Sequence, residues 1–418
     1  MLSVLRSSRL QVQVQLWVPF LLTASMLAVP ISATAKSIFI GLVLFVVIFS
    51  PAYRKDLILM LSQRWCQALL LLFFIALIGC FWSPASDYQK IAVLKKYTKL
   101  LYLPFLAVGF RDPRSRRFSI LAFLGAMFIT CILSILKANG ALDFNGPDQG
   151  RVFHNHVMTG FMMAFATYLS ALLYCRERGV VRLFYAFLVG LFSYQILFIS
   201  TGRMGYVVYL MLMILFWVQM LSWRKAVIVV ILGLSLFTVS YYHSSPMQFV
   251  VKQGFDNLRE YRQGNKDNAI GFRIQFHAFA KNLFLRHPWF GNGTGSYTYY
   301  FRKDDPVPNW QEVPLSTIPK KMVEPHSQYW FVAAEFGMLG VMSLLFFFGS
   351  LLVAGLRLHS MRIVAIGLIV SFMVGNLSDS LLFYSGIGYF FLLFMAMCLG
   401  EEQQLRTERS NANEMSVV

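Results

Sequence analysis

Long apolar runs, separated by short polar connections, constrain this chain more than any other feature. One of them, VMSLLFFFGSLLVAGL at 341–356, contains no charged residue. A helix that crosses a bilayer needs about 20 predominantly apolar residues. Only 13% of the 418 residues are charged, which is about half the usual fraction for soluble proteins. The sequence therefore predicts an all-α polytopic membrane protein.

We predict about twelve transmembrane helices, because about twelve runs have a suitable length and composition. They are 15–34, 37–52, 66–82, 97–110, 118–136, 156–175, 183–200, 205–222, 226–242, 328–356, 362–377 and 381–399. The fourth run is short and the second follows closely on the first. The first lacks a small-residue cleavage site, so we expect it to be retained as an anchor.

Basic residues cluster in alternate connections, for example at 54–64, 111–117 and 176–182. The positive-inside rule assigns these connections and both termini to the cytoplasm. The net charge of +18 then reflects topology, and nucleic acid is not an expected partner. The predicted organisation is nine spans in 1–242, a periplasmic loop at 243–325, three spans in 326–400 and a cytoplasmic tail at 401–418. Within this tail, RTERSNANEMSVV at 406–418 is expected to be disordered.

The long loop is predicted to be partly helical and to cap the bundle at the outer interface. In GFRIQFHAFAKNLFLR, apolar residues recur at i, i+4, i+7 and i+11, including Phe276 and Leu283. Arg273 and His277 lie on the other face of this helix. The glycine-rich stretch GNGTGSY then ends it. GNGTG follows a helix and lacks a following Gly-Lys-Ser/Thr, so it is not a phosphate-binding P-loop.

Several cations and one candidate base are predicted to face the same outer side. Arg203 lies in the turn STGRMGY, Arg273 lies on the loop helix, and His326 begins the tenth span. The other candidates on this side are Lys95, Lys96, Arg151, His154, His156 and Asp379.

Each residue also has a simpler interpretation. Arginines at span ends can snorkel, and lysines there can bind the headgroups of membrane lipids. His154 and His156, at i and i+2, do not share a helix face, so no metal site is predicted. The five cysteines lie in or beside apolar runs without CxxC spacing and indicate neither a disulfide framework nor a zinc site.

Taken together, these side chains predict a site for a lipid-linked phosphate. A cation beside lipid is costly unless it is paired with an anion. Arginine suits a phosphate because its planar guanidinium donates two parallel hydrogen bonds and keeps its charge. A pyrophosphate is also a good leaving group, so a transfer reaction could proceed without ATP. Two arginines could then stabilise the leaving oxygen while a histidine accepts a proton.

The stretch HSQYWFVAAEFGMLG resembles the signature of the O-antigen ligase and polymerase superfamily. His326 and Ser327 are followed by nine residues, then Gly337, two residues and Gly340. STGRMGY resembles the arginine-bearing turn of that family. GFR at 271–273 with HPWFGNGTGSY resembles its loop helix and Gly-x-Gly stretch. The resemblance extends over about residues 80 to 400 and is closest to the ligase branch.

The resemblance implies a GT-C-like fold and an inverting glycosyl transfer without metal or cofactor. The donor would be a glycan on undecaprenyl pyrophosphate, and the acceptor would be lipid A–core oligosaccharide. By position, His326 would act as the base, Arg203 and Arg273 would bind the pyrophosphate, and Asp379 would orient His326. Lys95 or Lys96 would provide a further donor contact. The small size of Gly337 and Gly340 would in addition permit close helix approach. The enzyme would lie in the bacterial inner membrane with its active site facing the periplasm.

Three alternatives stay open. An O-antigen polymerase and a protein O-oligosaccharyltransferase would use the same chemistry on other acceptors. The single long loop favours the ligase, since polymerases of the family commonly have two. A transporter or flippase for lipid-linked sugars would be expected to have inverted repeats and charges within its spans. The span interiors here read as nearly free of charge, which favours surface chemistry.

Overall fold

The computed structural model describes residues 17–142, 151–310 and 321–416 and is built from helices. The helices of the first half are α1 (Trp17–Ala28), α2 (Ala33–Phe49), α3 (Pro51–Leu61), α4 (Arg64–Ile78), α5 (Asp87–Leu100), α6 (Tyr102–Gly109), α7 (Pro113–Ala138), α8 (His156–Arg176) and α9 (Gly179–Phe198). Those of the second half are α10 (Arg203–Met220), α11 (Trp223–His243), α12 (Ser245–Arg262), α13 (Ala269–Arg286), α14 (Ser296–Asp304), α15 (Gln328–Leu356), α16 (Arg362–Gly375) and α17 (Ser385–Ser416).

Seven helices in the described residues are long and apolar enough to cross a membrane. They are α7 to α11, α15 and the first part of α17. The bent pair of α2 and α3 would make an eighth span, and α1, α4 and α16 are shorter apolar helices. The all-α polytopic class is confirmed, whereas the count of about twelve is not.

Two predicted spans are divided in the structure. The run 37–52 crosses Ser50, and Pro51 begins a new helix at 93° to the one before it. Proline favours the first turn of a helix and cannot continue one. The run 97–110 crosses the junction of α5 and α6. A capping box between Ser86 and Gln89 starts α5 well before that run.

The segment 406–418 was predicted to be disordered, but its backbone is helical as far as Ser416, because α17 continues through it. Just before this segment, α17 is fixed to the bundle. The Glu401 carboxylate accepts hydrogen bonds from the main-chain N–H of Ser360 at 2.7 Å and of Met361 at 2.9 Å, just before α16 begins. A free helix N-terminus is stabilised by such an anion.

Gly337 divides α15 into two helical segments and does not serve a helix–helix approach as predicted. Its backbone adopts φ 63° and ψ −154°, a conformation open only to glycine. The loop that precedes α14 packs into the break, where Met338 donates to the carbonyl of Pro288 at 2.7 Å and Gly293 donates to that of Glu335 at 2.8 Å. At about 1.5 Å per residue, the segment 338–356 alone can cross the roughly 30 Å hydrocarbon core.

We expect Gly337→Ala to lower the melting temperature markedly. A Cβ at this position would lie 2.6 Å from the carbonyl carbon of Trp289 and would meet backbone rather than a movable side chain. The positive φ adds about 1–3 kcal/mol of strain. Gly349→Ala is the matched control, because Gly349 lies in the same helix with no atom near its Cβ position. Equal melting temperatures of the two purified variants would contradict this account of the break.

Two charged side chains are fully buried at the ends of apolar helical segments. Lys36 in α2 and Glu335 in α15 have no exposed surface. Each is held by fixed partners: Glu335 accepts the N–H of Gly295 at 2.9 Å, and Lys36 donates to the carbonyl of Ser385 at 2.7 Å. Buried charges of this kind require such partners. They connect elements of the fold that are distant in sequence.

Candidate functional site

A cavity of about 370 Å³ lies where three helices begin, beside the end of α16. Its lining includes four of the residues singled out from the sequence, namely His156, Arg203, Arg273 and Asp379. Arg203 is the first residue of α10 because Gly202 breaks the chain before it. Gly202 is required there, since a Cβ would lie 2.8 Å from the main-chain oxygen of His156. The fold thus brings residues that are distant in the sequence to the wall of one cavity.

The electrostatics of this cavity favour an anion. Helices α8, α10 and α13 all begin at its wall, and a helix N-terminus carries roughly half a positive charge. The half-buried guanidiniums of Arg203 and Arg273 are close enough to repel each other. Among the described residues, no carboxylate lies within ion-pair distance of either one. Arg203 instead donates to the amide oxygen of Gln253 at 3.0 Å.

His326 lies beside the cavity and is connected to it through Asp379. The His326 Nδ1 lies 3.3 Å from a carboxylate oxygen of Asp379. The imidazole stacks on Phe276 of α13, with ring centroids 5.7 Å apart. The His326 backbone has φ 52°, a strained conformation for a residue with a Cβ. Such strain persists where the surrounding structure holds a residue in place, often at functional sites.

Three donors converge on one carboxylate oxygen of Asp379. Besides His326, the hydroxyl of Tyr384 donates to it, and the N–H of Ser380 donates at 3.0 Å. Burial alone would raise the pKa of the Asp379 carboxyl, but these hydrogen bonds outweigh it and hold the pKa below its usual value. Burial and the neighbouring Asp379 charge raise the pKa of the Tyr384 hydroxyl. Asp379 is therefore an anion and Tyr384 a neutral donor near pH 7.

His277 supports the backbone of His326 from the loop helix. Its Nε2 lies 3.3 Å from the main-chain oxygen of His326. Burial lowers the pKa of the His277 imidazole, and the positive charge of Arg273 acts in the same direction. The predicted apolar stripe of this helix is buried at Phe276 and Leu283, which leaves Arg273 and His277 partly accessible. The alternation of faces thus places Arg273 and His277 beside the site.

We expect thermal stability to fall as the pH drops below 6.5. The unfolded chain binds a proton on His277 at its usual pKa of 6.5, whereas the folded protein resists that proton to a lower pH. The stability contributed by neutral His277 is present above pH 6.5 and is lost as the pH falls through the folded pKa. Melting temperatures between about pH 8 and about pH 5 check this. His277→Gln should flatten the lower part of the curve, and an unchanged slope would contradict the assignment.

Four other predicted residues do not line the cavity. Lys96 forms an ion pair with Glu324, and Lys95 is exposed on another face of α5. Arg151 is exposed. The Nε2 of His154 lies 2.9 Å from the main-chain oxygen of Val29, so this histidine holds the fold together. Only His156 of the predicted pair reaches the cavity.

Sequence reasoning missed Tyr384, Glu324 and the interaction of His277 with His326. Glu324 precedes His326 by two residues in the sequence, and this closeness could have marked it as a residue near the site. Tyr384 lies in an apolar stretch and carries no local signal of its contact with Asp379. The described residues contain no group of three or more His, Cys, Asp or Glu side chains placed to hold a metal ion.

Residues 187–345 match the family model described as O-antigen ligase. The match confirms the predicted resemblance to the O-antigen ligase and polymerase superfamily, whose members are glycosyltransferase-like enzymes. Arg203, Arg273 and His326 lie within the matched region, whereas Asp379 lies beyond it. A comparison with curated proteins gives no match.

Proposed function

We propose that this chain is an O-antigen ligase, because residues 187–345 match the family model of that description and three residues of the site lie within that region. It transfers a glycan from undecaprenyl pyrophosphate to lipid A–core oligosaccharide. The reaction takes place at the periplasmic face of the bacterial inner membrane, with both termini in the cytoplasm. It needs no metal, nucleotide or cofactor.

One observation carries this proposal: the cationic cavity continues into an apolar groove. Arg203 and Val207 line both the cavity and a groove of about 440 Å³ between α10, α11 and α12. Leu210 and Phe237 then line both this groove and a second apolar space of about 450 Å³ beside α9. An anion-binding head followed by an apolar channel fits an amphiphile with a phosphorylated head and a long hydrocarbon chain.

The opening of the groove suits a ligand that arrives from the bilayer. Helix α11 forms one wall. Only 11% of its apolar stretch is buried within the protein, so most of this helix faces outward. A lipid-linked donor can therefore enter sideways with its polyprenyl chain between α10 and α11. Its pyrophosphate then reaches the N-terminal ends of α8, α10 and α13, where Arg203 and Arg273 neutralise it.

The proposed reaction is a single displacement. The acceptor hydroxyl attacks the anomeric carbon, a new C–O bond forms, and the bond from that carbon to the pyrophosphate oxygen breaks. His326 Nε2 accepts the proton of the hydroxyl. The two guanidiniums stabilise the charge that develops on the leaving oxygen. One displacement at the anomeric carbon inverts its configuration.

Asp379 prepares His326 for this role. An anionic carboxylate at Nδ1 selects the tautomer with the proton on Nδ1, so that Nε2 keeps its lone pair. Phe276 stacks against the imidazole, and His277 contacts the main-chain oxygen of His326. These two contacts fix the orientation of the ring and thus the direction of the Nε2 lone pair. His156 remains a candidate contact for the donor, while Lys95, Lys96 and Arg151 would act only beyond the cavity.

Loop length favours lipid A–core as the acceptor. A single long connection, from α11 to α15, carries α12, α13 and α14 beside the site. This matches the ligase pattern better than the pattern of polymerases, which use a growing lipid-linked glycan as the acceptor. The inference rests on the family resemblance and is tested by the choice of acceptor.

A transfer assay with purified protein tests the proposal. The protein is mixed with lipid-linked glycan and either lipid A–core or a second lipid-linked glycan, in the presence of a chelator and without nucleotide. A new bond to lipid A–core supports the ligase. Elongation of the second lipid-linked glycan instead would identify a polymerase. Movement of donor between vesicle leaflets without a new bond would overturn the proposal in favour of a flippase.

A further inference from the structure

Two buried lysines from distant helices hold one short segment of main chain. Lys36 of α2 has no exposed surface and donates to the carbonyl of Ser385 at 2.7 Å. Lys99 of α5 is 6% exposed and donates to the carbonyls of Leu382 at 2.7 Å and Tyr384 at 3.2 Å. In the part of the chain that the structure describes, neither ammonium has a carboxylate within ion-pair distance.

This arrangement is costly, so stability alone does not explain it. Lysine is rarely buried without an opposite charge, and an ammonium loses its hydration on burial. The ring of Tyr389 offsets part of the loss, with its centroid 4.6 Å from the Lys36 Nζ and 5.4 Å from the Lys99 Nζ. Replacing even a buried ion pair by apolar side chains of similar volume is often neutral or stabilising, so a buried charge is weak evidence for a stabilising role. The benefit of these lysines must therefore come from the segment they hold.

That segment carries the hydrogen bonds that place Asp379. It connects α16 to α17 and contains a short 3-10 turn, Leu381–Phe383. The main-chain oxygen of Tyr384 is bound by Lys99, while the hydroxyl of the same residue donates to Asp379. Asp379 in turn contacts His326 at 3.3 Å. The path from the Lys99 ammonium to the His326 imidazole thus passes through two residues.

The surrounding chain leaves room for the Lys99 ammonium. A Cβ added at Gly388 would lie 2.5 Å from the Lys99 Nζ. A glycine at the fourth position of α17 therefore lets the ammonium reach the carbonyls of Leu382 and Tyr384. The contact is built from three elements, α5, α17 and the 3-10 turn, and is not an accident of one flexible side chain.

We propose that Lys36 and Lys99 are positioning residues for the transfer reaction. By binding the main-chain oxygens of 382–385, they hold Tyr384 against Asp379 and thereby hold Asp379 against His326. This role rests on the proposed function and adds two residues that touch no substrate.

The test is the kinetics of Lys36→Met and Lys99→Met in the full-length, membrane-reconstituted protein. We expect each to lower kcat at least tenfold while the KM for the lipid-linked donor stays within twofold, because Arg203 and Arg273 are untouched. Lys137→Met is the matched control: Lys137 is also buried and donates to a main-chain oxygen, that of Arg151 at 3.1 Å. Its kcat should stay within twofold of the wild type.

A double-mutant comparison separates positioning from general damage. If Lys99 acts through Asp379, Lys99→Met should lower kcat by less than twofold when Asp379 is already Asn. A full tenfold loss in that background would overturn the proposal. So would a wild-type kcat in both lysine variants while Asp379→Asn is impaired. Absence of transfer in the wild type would instead refute the proposed function.

Tyr384→Phe keeps the test decisive if the lysine variants do not fold. It removes only the hydroxyl that joins the segment to Asp379. We expect the same fall in kcat with an unchanged donor KM and a melting temperature near that of the wild type. Full activity of Tyr384→Phe would show that the path to Asp379 does not matter.

Discussion

His326→Ala should lower the rate of glycan transfer by about 10²- to 10⁴-fold, the contribution usual for a positioned general base. The imidazole is held by Asp379, Phe276 and the unusual backbone of His326 itself, so its removal leaves no other base in the same place. We expect kcat to fall while the KM for donor changes little, because the arginines that bind the pyrophosphate remain. Initial rates with purified, reconstituted protein measure this.

The matched control for this substitution is His359→Ala. His359 is exposed and lies between α15 and α16, at the other end of α15 from His326. It should transfer glycan at the wild-type rate. Normal transfer by His326→Ala protein would remove the base assignment and leave only the binding roles in the account.

Replacement of Arg203 or Arg273 by Met should lower kcat/KM by about 10²- to 10³-fold for each, as when a donor that stabilises a developing oxyanion is removed. The two guanidiniums repel each other and lack a carboxylate partner within the described residues, so their stabilisation depends on a bound anion. Unlike His326→Ala, these changes should affect both donor binding and the bond-breaking step.

Lysine substitutions make this prediction more specific. Arg203→Lys and Arg273→Lys keep the charge but lose the two parallel N–H donors, and should recover only part of the activity. Arg286→Met is the control, because Arg286 ends the same helix as Arg273 but points to an exposed pair with Asp304. If Arg286→Met were as damaging as Arg273→Met, the loss would reflect general charge rather than a binding site.

Much of this site could be predicted from local sequence because each key residue stands at a helix boundary. Arg203 follows a Ser-Thr-Gly turn, and His326 follows a proline and precedes the Ser327 that caps α15. Caps and glycines mark helix ends, and apolar length marks spans. The spacing of the apolar residues in α13 likewise predicted which face of that helix carries Arg273.

Contacts between distant segments could not be predicted in the same way. Lys36 and Glu335 look like isolated charges in apolar runs, and only the folded chain shows that they meet the carbonyl of Ser385 and the N–H of Gly295. The break at Gly337 was missed because apolar periodicity continues across it. A loop docked through main-chain hydrogen bonds leaves no side-chain pattern in the sequence.

The span count illustrates the same limit. Apolar composition extends through Ser50 and Pro51 and through the junction of α5 and α6, but the chain bends at the first place and the helix is interrupted at the second. The mean hydropathy of a segment reports how apolar it is, but it does not show where the helix changes direction. The polytopic class followed from composition. The number of continuous membrane-spanning helices depends instead on where helices are interrupted, which local features such as Pro51 and the Ser86–Gln89 capping box determine.

Binding of undecaprenyl pyrophosphate without a glycan to the purified protein tests the central claim most directly. Wild-type and His326→Ala proteins should bind it equally, since the base contacts the acceptor and not the lipid. The double variant of Arg203→Met with Arg273→Met should bind at least tenfold more weakly. Wild-type affinity in that double variant would contradict the claim that these two arginines hold the diphosphate beside His326.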